Sequence, residues 1–295
     1  MMHLLKHHIG CFANKLFFSL SYLLNKVAGR NPVLLTGWVT ASHGKISKHN
    51  LGDDLNYFLL KELTKRPLFF TEVMFPVFKR LKHYCCIGSI IENFANSNSI
   101  IWGSGAMEGG VTCKLPSFKV LSVRGPLTRT WLIKQGIDCP ECYGDPALLL
   151  PLVYDKRVKT KYEYGFIPHF LDFNLPHVKL FLQQHPDMLV IDMQHYDDWH
   201  EMIDKIRSCK NIISSSLHGI IIADTYGIPN VWIELSENVQ GHGFKFHDYF
   251  MSVNRDTREA VICKESVNMG KVVEGLQFWK PISFNLSAYK ETMPF

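Results

Sequence analysis

The stretch Asn211-Ile212-Ile213-Ser214-Ser215-Ser216-Leu217-His218-Gly219 decides the fold. Asn211 to Ser215 is a short apolar run with β-branched residues at its centre, the pattern of a buried strand, and it passes into a helix that ends near Gly227. Asn230-Val231-Trp232-Ile233 then reads as the next strand. So short a strand–helix–strand unit pairs its strands in parallel and lays the helix across the sheet.

The same rhythm extends in both directions. Upstream, Tyr164-Gly165-Phe166-Ile167-Pro168 and Met188-Leu189-Val190-Ile191 read as strands, with a helix through Val178, Phe181 and Leu182 between them and another from Asp198 to Ser208 after them. Earlier still, strands are expected at 32–38, 84–88, 99–103 and 119–123. A helix beginning at Asp53 is stopped by Pro67, and a helix opening at Pro126 runs to Gly136. Asp53 there has the character of a helix N-cap. The proline-bracketed Gly144-Asp145-Pro146-Ala147-Leu148-Leu149-Leu150-Pro151, followed by a charged run, marks a boundary. The expected organisation is α/β: an N-terminal amphipathic helix over 1–31, a Rossmann-like domain over 32–155, a second over 156–285 carrying a donor site, and a tail over 286–295. A cleft lies between the two domains.

Composition narrows function less than it narrows fold. With 46% hydrophobic and 20% charged residues the 295-residue chain is ordinary globular material, large enough to fold without disulfides or a structural metal. A net charge of +5 without a Lys/Arg block gives no support to nucleic-acid binding. Eight scattered cysteines with one Cys139-x-x-Cys142 and no second pair do not make a zinc site; Cys139 to Cys142 reads as a turn entering the next strand. The apolar stretch Leu16–Leu24 is too short to span a bilayer and no small-residue cleavage site follows it. Interleaved with His3, Lys6, His7, His8, Lys15 and Lys26, it is expected to pack on the protein's own body, with docking on a membrane surface as the alternative.

Polar residues recur where strands give way to helices, the places at which parallel sheets bind ligands. Asn50-Leu51-Gly52-Asp53-Asp54, Trp102-Gly103-Ser104-Gly105, Val123-Arg124-Gly125-Pro126-x-Thr128, Gly144-Asp145-Pro146 and Leu217-His218-Gly219, leading through Ala223-Asp224 to Gly227-Ile228-Pro229, stand in a fixed order over roughly residues 33–250. Together they resemble the polysaccharide pyruvyl transferase family. The resemblance implies a two-domain fold like the GT-B glycosyltransferases, phosphoenolpyruvate as co-substrate with no cofactor or metal, and a sugar hydroxyl pair as acceptor, closed into a pyruvate ketal on an exopolysaccharide, capsule or lipopolysaccharide.

That chemistry assigns roles. Phosphoenolpyruvate needs fixed cations, and Arg124 in the Val-Arg motif is the first expected, with a structural salt bridge as its bland alternative. His218 matches the family's functional histidine and is expected as general acid or phosphate ligand. Many members carry Arg two residues earlier, where this chain has Ser216, so the second cation is sought at Lys245 in Gly243-Phe244-Lys245-Phe246-His247-Asp248-Tyr249. Ser215, Ser216, Gly219 and His169 complete the expected donor site. Asp53 is expected as catalytic carboxylate at the acceptor, with Asn50, Gly52, Ser104 and Gly105 in the acceptor loops; Asp145 is expected to brace its turn. A nucleotide-sugar glycosyltransferase and a non-catalytic binding homologue are the competing readings. The expected address is cytoplasmic, near the inner-membrane surface if the acceptor is a lipid-linked oligosaccharide.

Overall fold

The structure, a computed structural model, describes residues 2–110, 115–255 and 259–295, with side chains from residue 10 onward, so His3, Lys6, His7 and His8 lie outside the described side chains. Helix α1 (Met2–Val27) leads into β1 (Val33–Leu35), the small antiparallel hairpin β2 (Thr40–Ser42) and β3 (Lys45–Ser47), and helix α2 (Leu51–Thr64). Then come β4 (Leu68–Phe70), β5 (His83–Cys85), the short helix α3 (Ile91–Phe94), β6 (Ser99–Trp102), β7 (Lys119–Ser122) and helix α4 (Pro126–Lys134). The second half holds β8 (Tyr162–Ile167), α5 (Pro176–Gln184), β9 (Leu189–Val190), α6 (Trp199–Arg207), β10 (Cys209–Ser214), α7 (Leu217–Thr225), β11 (Asn230–Glu234), α8 (Phe244–Ser252), β12 (Val261–Ile262), α9 (Met269–Leu276) and α10 (Leu286–Glu291).

Two five-stranded sheets result, in the orders β4-β1-β5-β6-β7 and β12-β11-β10-β8-β9, and every pairing in them is parallel. Numbered within each half, with the hairpin strands left out, the first order is 2-1-3-4-5 as written and the second is the same read in reverse. The winding reverses between β1 and β5 in the first sheet and between β8 and β10 in the second. Outside the carboxyl ends of strands at such a reversal, sheets of this kind hold their ligands.

The central strands turn apolar where helices cover both faces: Ile212 and Ile213 of β10 and Phe166 of β8 are fully buried. Helix α7 is apolar on every side, the mark of a helix with no solvent face. It packs against α2 and a 3-10 segment, Pro146–Leu152, and one core cluster runs through both halves. Leu148, Leu149 and Leu150 of that 3-10 segment are fully buried in this cluster.

Two local expectations change, and both the first helix and residues 286–295 pack on the body. The N-cap of α2 is Asn50, whose Oδ1 accepts from Gly52 N at 3.0 Å, so Asp53 sits in the first turn with its carboxylate free of capping. After Cys139–Cys142 no strand begins among the described residues; Tyr143 makes one bridge to Val123. Helix α1 does pack on the body, through Phe18, Ser19 and Tyr22, with Tyr22 set edge-on to Phe69 and Phe78. The last ten residues return to the first sheet: Tyr289 stacks on Trp102 at 5.5 Å and donates to Gly144 O at 2.6 Å, and Phe295 meets Tyr84 edge-on.

Candidate active site

A cavity of about 320 Å³ opens where the two winding reversals face each other. The first half contributes Trp38 and Asn50 from either end of the β2–β3 hairpin, Asp53 from α2, and Ser89 beyond β5. The second contributes His169 beyond β8, Ser216 and His218 at the start of α7, and Lys245 from α8. The N-terminal turns of α2 and α7 meet here so closely that a Cβ on Gly52 would lie 2.0 Å from His218 Nδ1. Among the described residues no side chain caps α7, so its first-turn N–H groups and the positive end of its dipole are available to an anion.

Lys245 is 9% exposed, and apart from the face of Phe246 at 5.8 Å its ammonium has no partner among the described residues. Burial, with the charge of Arg124, brings its pKa down to about 8, while Asp53 and Asp172 oppose the shift. Asp53 accepts no hydrogen bond among the described residues; burial and its neighbour Asp54 push its pKa up to about 7, against the pull of Lys245. Asp54 looks the other way, accepting from His49 N at 2.8 Å and from the Tyr196 hydroxyl, which ties the two halves together.

Burial, Arg124 and Lys245 push His218 down to about 3, so its imidazole is neutral. Its Nε2 lies 3.9 Å from Asp145 Oδ2, and neither atom has a hydrogen-bond partner among the described residues although both are buried. The other oxygen of Asp145 does brace the turn, accepting from Ala147 N at 2.9 Å, and burial raises this carboxyl to about 7. His169 is likewise held neutral, at about 3, by burial and Lys245.

Arg124 does not line the cavity. Fully buried, it donates from Nε to Asp248 Oδ2 at 3.1 Å, from Nη1 to Ser89 Oγ at 2.6 Å and from Nη2 to Ala106 O at 2.7 Å. Asp248 also accepts from Thr128 N at 2.9 Å and Thr128 Oγ1 at 2.7 Å. The Val-Arg-Gly-Pro-x-Thr motif is therefore a socket for Asp248. Gly125 belongs to it because a Cβ there would come within 1.9 Å of Asp248 O. Since Lys245 and Asp248 are three apart on α8, the helix inserts one into the first half and presents the other to the cavity. The cation expected to grip the donor instead fixes α8 and acts on the cavity through its field.

Five other expected residues support the site from behind. Ser104 Oγ donates to Gly88 O at 2.9 Å, and a Cβ on Gly105 would strike the Arg124 guanidinium at 2.3 Å. Ser215 Oγ accepts from His169 N at 2.8 Å and donates to buried Asp172 at 3.2 Å. Gly219 makes room for Ser214 Oγ, and Gly52 for His218. Asp53, His218, Lys245, His169, Ser216 and Asn50 do meet around the cavity. Sequence reasoning missed Trp38, Ser89, Phe170 and Gln240, which also line it. Ser89, just after the expected strand 84–88, and Trp38, at the end of the expected strand 32–38, were reachable by the strand-end rule; Phe170 and Gln240 sit on loops with no periodic signal.

Two doubly wound halves place a cavity between their reversal points, the position at which sheets of this kind bind small ligands. Residues 50–237 match the profile of a family described as "Polysaccharide pyruvyl transferase", and the chain belongs to that family. The matched span contains Asp53, Arg124, His169 and His218 and ends before Lys245. The chain is 32% identical over 221 residues to the uncharacterized protein L143 of Acanthamoeba polyphaga mimivirus, covering 72% of this chain and 75% of that one. It is 25% identical over 161 residues to the succinoglycan biosynthesis protein ExoV of Rhizobium meliloti (strain 1021), covering 54% of this chain and 48% of ExoV.

Proposed function

We propose that the cavity binds phosphoenolpyruvate and transfers its pyruvyl group, as a ketal, to a pair of hydroxyls on a sugar of a surface polysaccharide, the two halves closing on the reactants in the manner of a GT-B enzyme. The observation that carries this reading is the buried, partnerless Lys245 facing the uncapped N-terminus of α7, beside a carboxyl poised near neutrality. A lone buried cation is costly unless an anion completes it, and a donor with a phosphate and a carboxylate does so.

In the reaction, one acceptor hydroxyl adds to C2 of the enol ester while C3 takes up a proton and becomes a methyl group. Inorganic phosphate then leaves as the second hydroxyl closes the ketal, and its proton departs with the phosphate. Asp53 is suited to carry the proton from the first hydroxyl, because a group titrating near 7 is competent both as base and as acid. Neutral His218 serves as a hydrogen-bonding group on the donor. Arrival of the donor's negative charge favours its protonation, and Asp145 is placed to orient the resulting imidazolium. Lys245 and the first turn of α7 hold the anionic groups.

The direct test is incubation of purified protein with phosphoenolpyruvate and an oligosaccharide acceptor: phosphate release should depend on both, and turnover with a nucleotide sugar alone overturns the reading. Lys245→Met should raise KM for phosphoenolpyruvate by roughly 10–100-fold, the loss expected for one charge-assisted contact. Gly52→Ala should lower kcat by about 10²-fold through displacement of the His218 ring, with the fold retained on circular dichroism.

A further inference from the structure

Helix α1 is apolar on two sides, one toward the body through Phe18 and Tyr22 and one away from it. Its polar side chains serve the protein: Asn14 Nδ2 donates to Ala41 O at 3.1 Å, Asn14 Oδ1 accepts from Gly44 N at 2.9 Å, and Ser19 Oγ accepts from Phe75 N at 3.2 Å. The side turned to solvent is apolar. Leu16, Leu20, Leu23, Leu24 and Val27 are exposed by 41%, 49%, 46%, 68% and 89%, and on the helical period they fall on one face. Scattered exposed leucines need no explanation, but a continuous row of them along a helix marks an interaction surface. Apolar residues on both sides of a helix suit it to lie between a protein body and lipid.

The charge of the segment that carries this face has one sign. No Asp or Glu precedes Asp53, whereas Lys6, Lys15, Lys26, Arg30, Lys45 and Lys48 all do. Lys26, Arg30, Lys45 and Lys48 are exposed. Lys45 belongs to the β2–β3 hairpin, which packs on α1: Asn14 bonds to it on both sides of its turn, and the ring of Phe17 lies under Gly44. No described helix is long and apolar enough to cross a membrane. We propose that α1 lies flat on an anionic phospholipid surface, its outward leucines at the acyl boundary and the surrounding cations at the headgroups. A second copy of the chain would satisfy the leucines but would bring two such cationic collars together, which disfavours it. Because Trp38 and Asn50 flank the hairpin, the docked element also borders the rim of the cavity. The proposal stands independently of the pyruvyl-transfer reading.

The test is sedimentation of the full chain with vesicles of phosphatidylcholine alone and of phosphatidylcholine mixed with phosphatidylglycerol. Binding should be roughly tenfold or more tighter to the mixed vesicles and should weaken with added salt. The double variant Leu20→Glu/Leu24→Glu should lose this binding while melting like the parent, since both positions are exposed. Were that variant to misfold, the comparison of lipids and salt on the parent protein would still decide. Equal binding to both vesicle types, or none, overturns the proposal. So does a lipid-free dimer that the same two substitutions dissociate.

Discussion

Asp53→Asn is expected to lower kcat by about 10²–10⁴-fold without unfolding the protein. The amide keeps the volume of the carboxyl and breaks no hydrogen bond among the described residues, since Asp53 accepts none. It also removes the repulsion with Asp54 that helps push Asp53 up. The pH dependence carries the sign. The native carboxyl titrates near 7 against an ordinary value of 3.8, so between those values the native state holds the proton more tightly than the unfolded chain does. Its contribution to stability is complete below the lower value and is lost as pH rises through about 7. Asp145, also near 7, contributes with the same sign, so Asp53→Asn flattens only part of the slope. In activity the order reverses for a base: kcat/KM should climb through about pH 7 as Asp53 ionises and decline above about 8 as Lys245 loses its charge. In the variant the rising limb disappears. A rising limb that survives the substitution assigns the base elsewhere.

Asp248→Ala is expected to cost about 3–5 kcal/mol in urea unfolding, the loss typical of stranding one member of a buried ion pair. Arg124 and Asp248 are both fully excluded from solvent, and the carboxylate gathers three donors from the first half onto one helix of the second. Removing it leaves a guanidinium with no counter-ion in direct contact, next to an already cationic cavity. The double replacement Arg124→Met/Asp248→Leu, which removes both charges, should recover much of that loss. If both variants lose the same amount, packing at the α4–α8 contact carries the stability in place of the charge pair.

Much of this arrangement was readable from periodicity. Eight strands were placed because their apolar runs are bounded by glycine, proline or polar turns. The edge strands Leu68–Phe70 and Val261–Ile262 and the hairpin over 40–47 were not: Pro67 reads as a helix stop just ahead of the first, and the polar residues of the hairpin read as a loop. The cap of α2 was misplaced by one turn because Asn50 and Asp53 are both good capping residues, and only the packing against α7 selects the first. Arg124 shows a deeper limit. Its motif identifies an arginine that matters, but its partner lies on α8, far along the chain, and nothing local distinguishes a cation that binds substrate from one that fastens a helix. Lys245 was found through a departure from the family pattern, since Ser216 left a charge to be supplied, and the cavity contains it. The outward leucines of α1 fit the same stretch of sequence that suggested a conventional packed helix; which side faced the protein was beyond the pattern alone.

The return of residues 286–295 to the first sheet has a consequence for biogenesis. Trp102, Tyr84 and the Gly144 carbonyl receive their cover from Tyr289, Thr292 and Phe295. In a nascent chain that has not yet grown past residue 285, these groups lack that cover, so the aromatic seam of the first sheet closes only when residues 286–295 arrive, long after the strands they cover have been made.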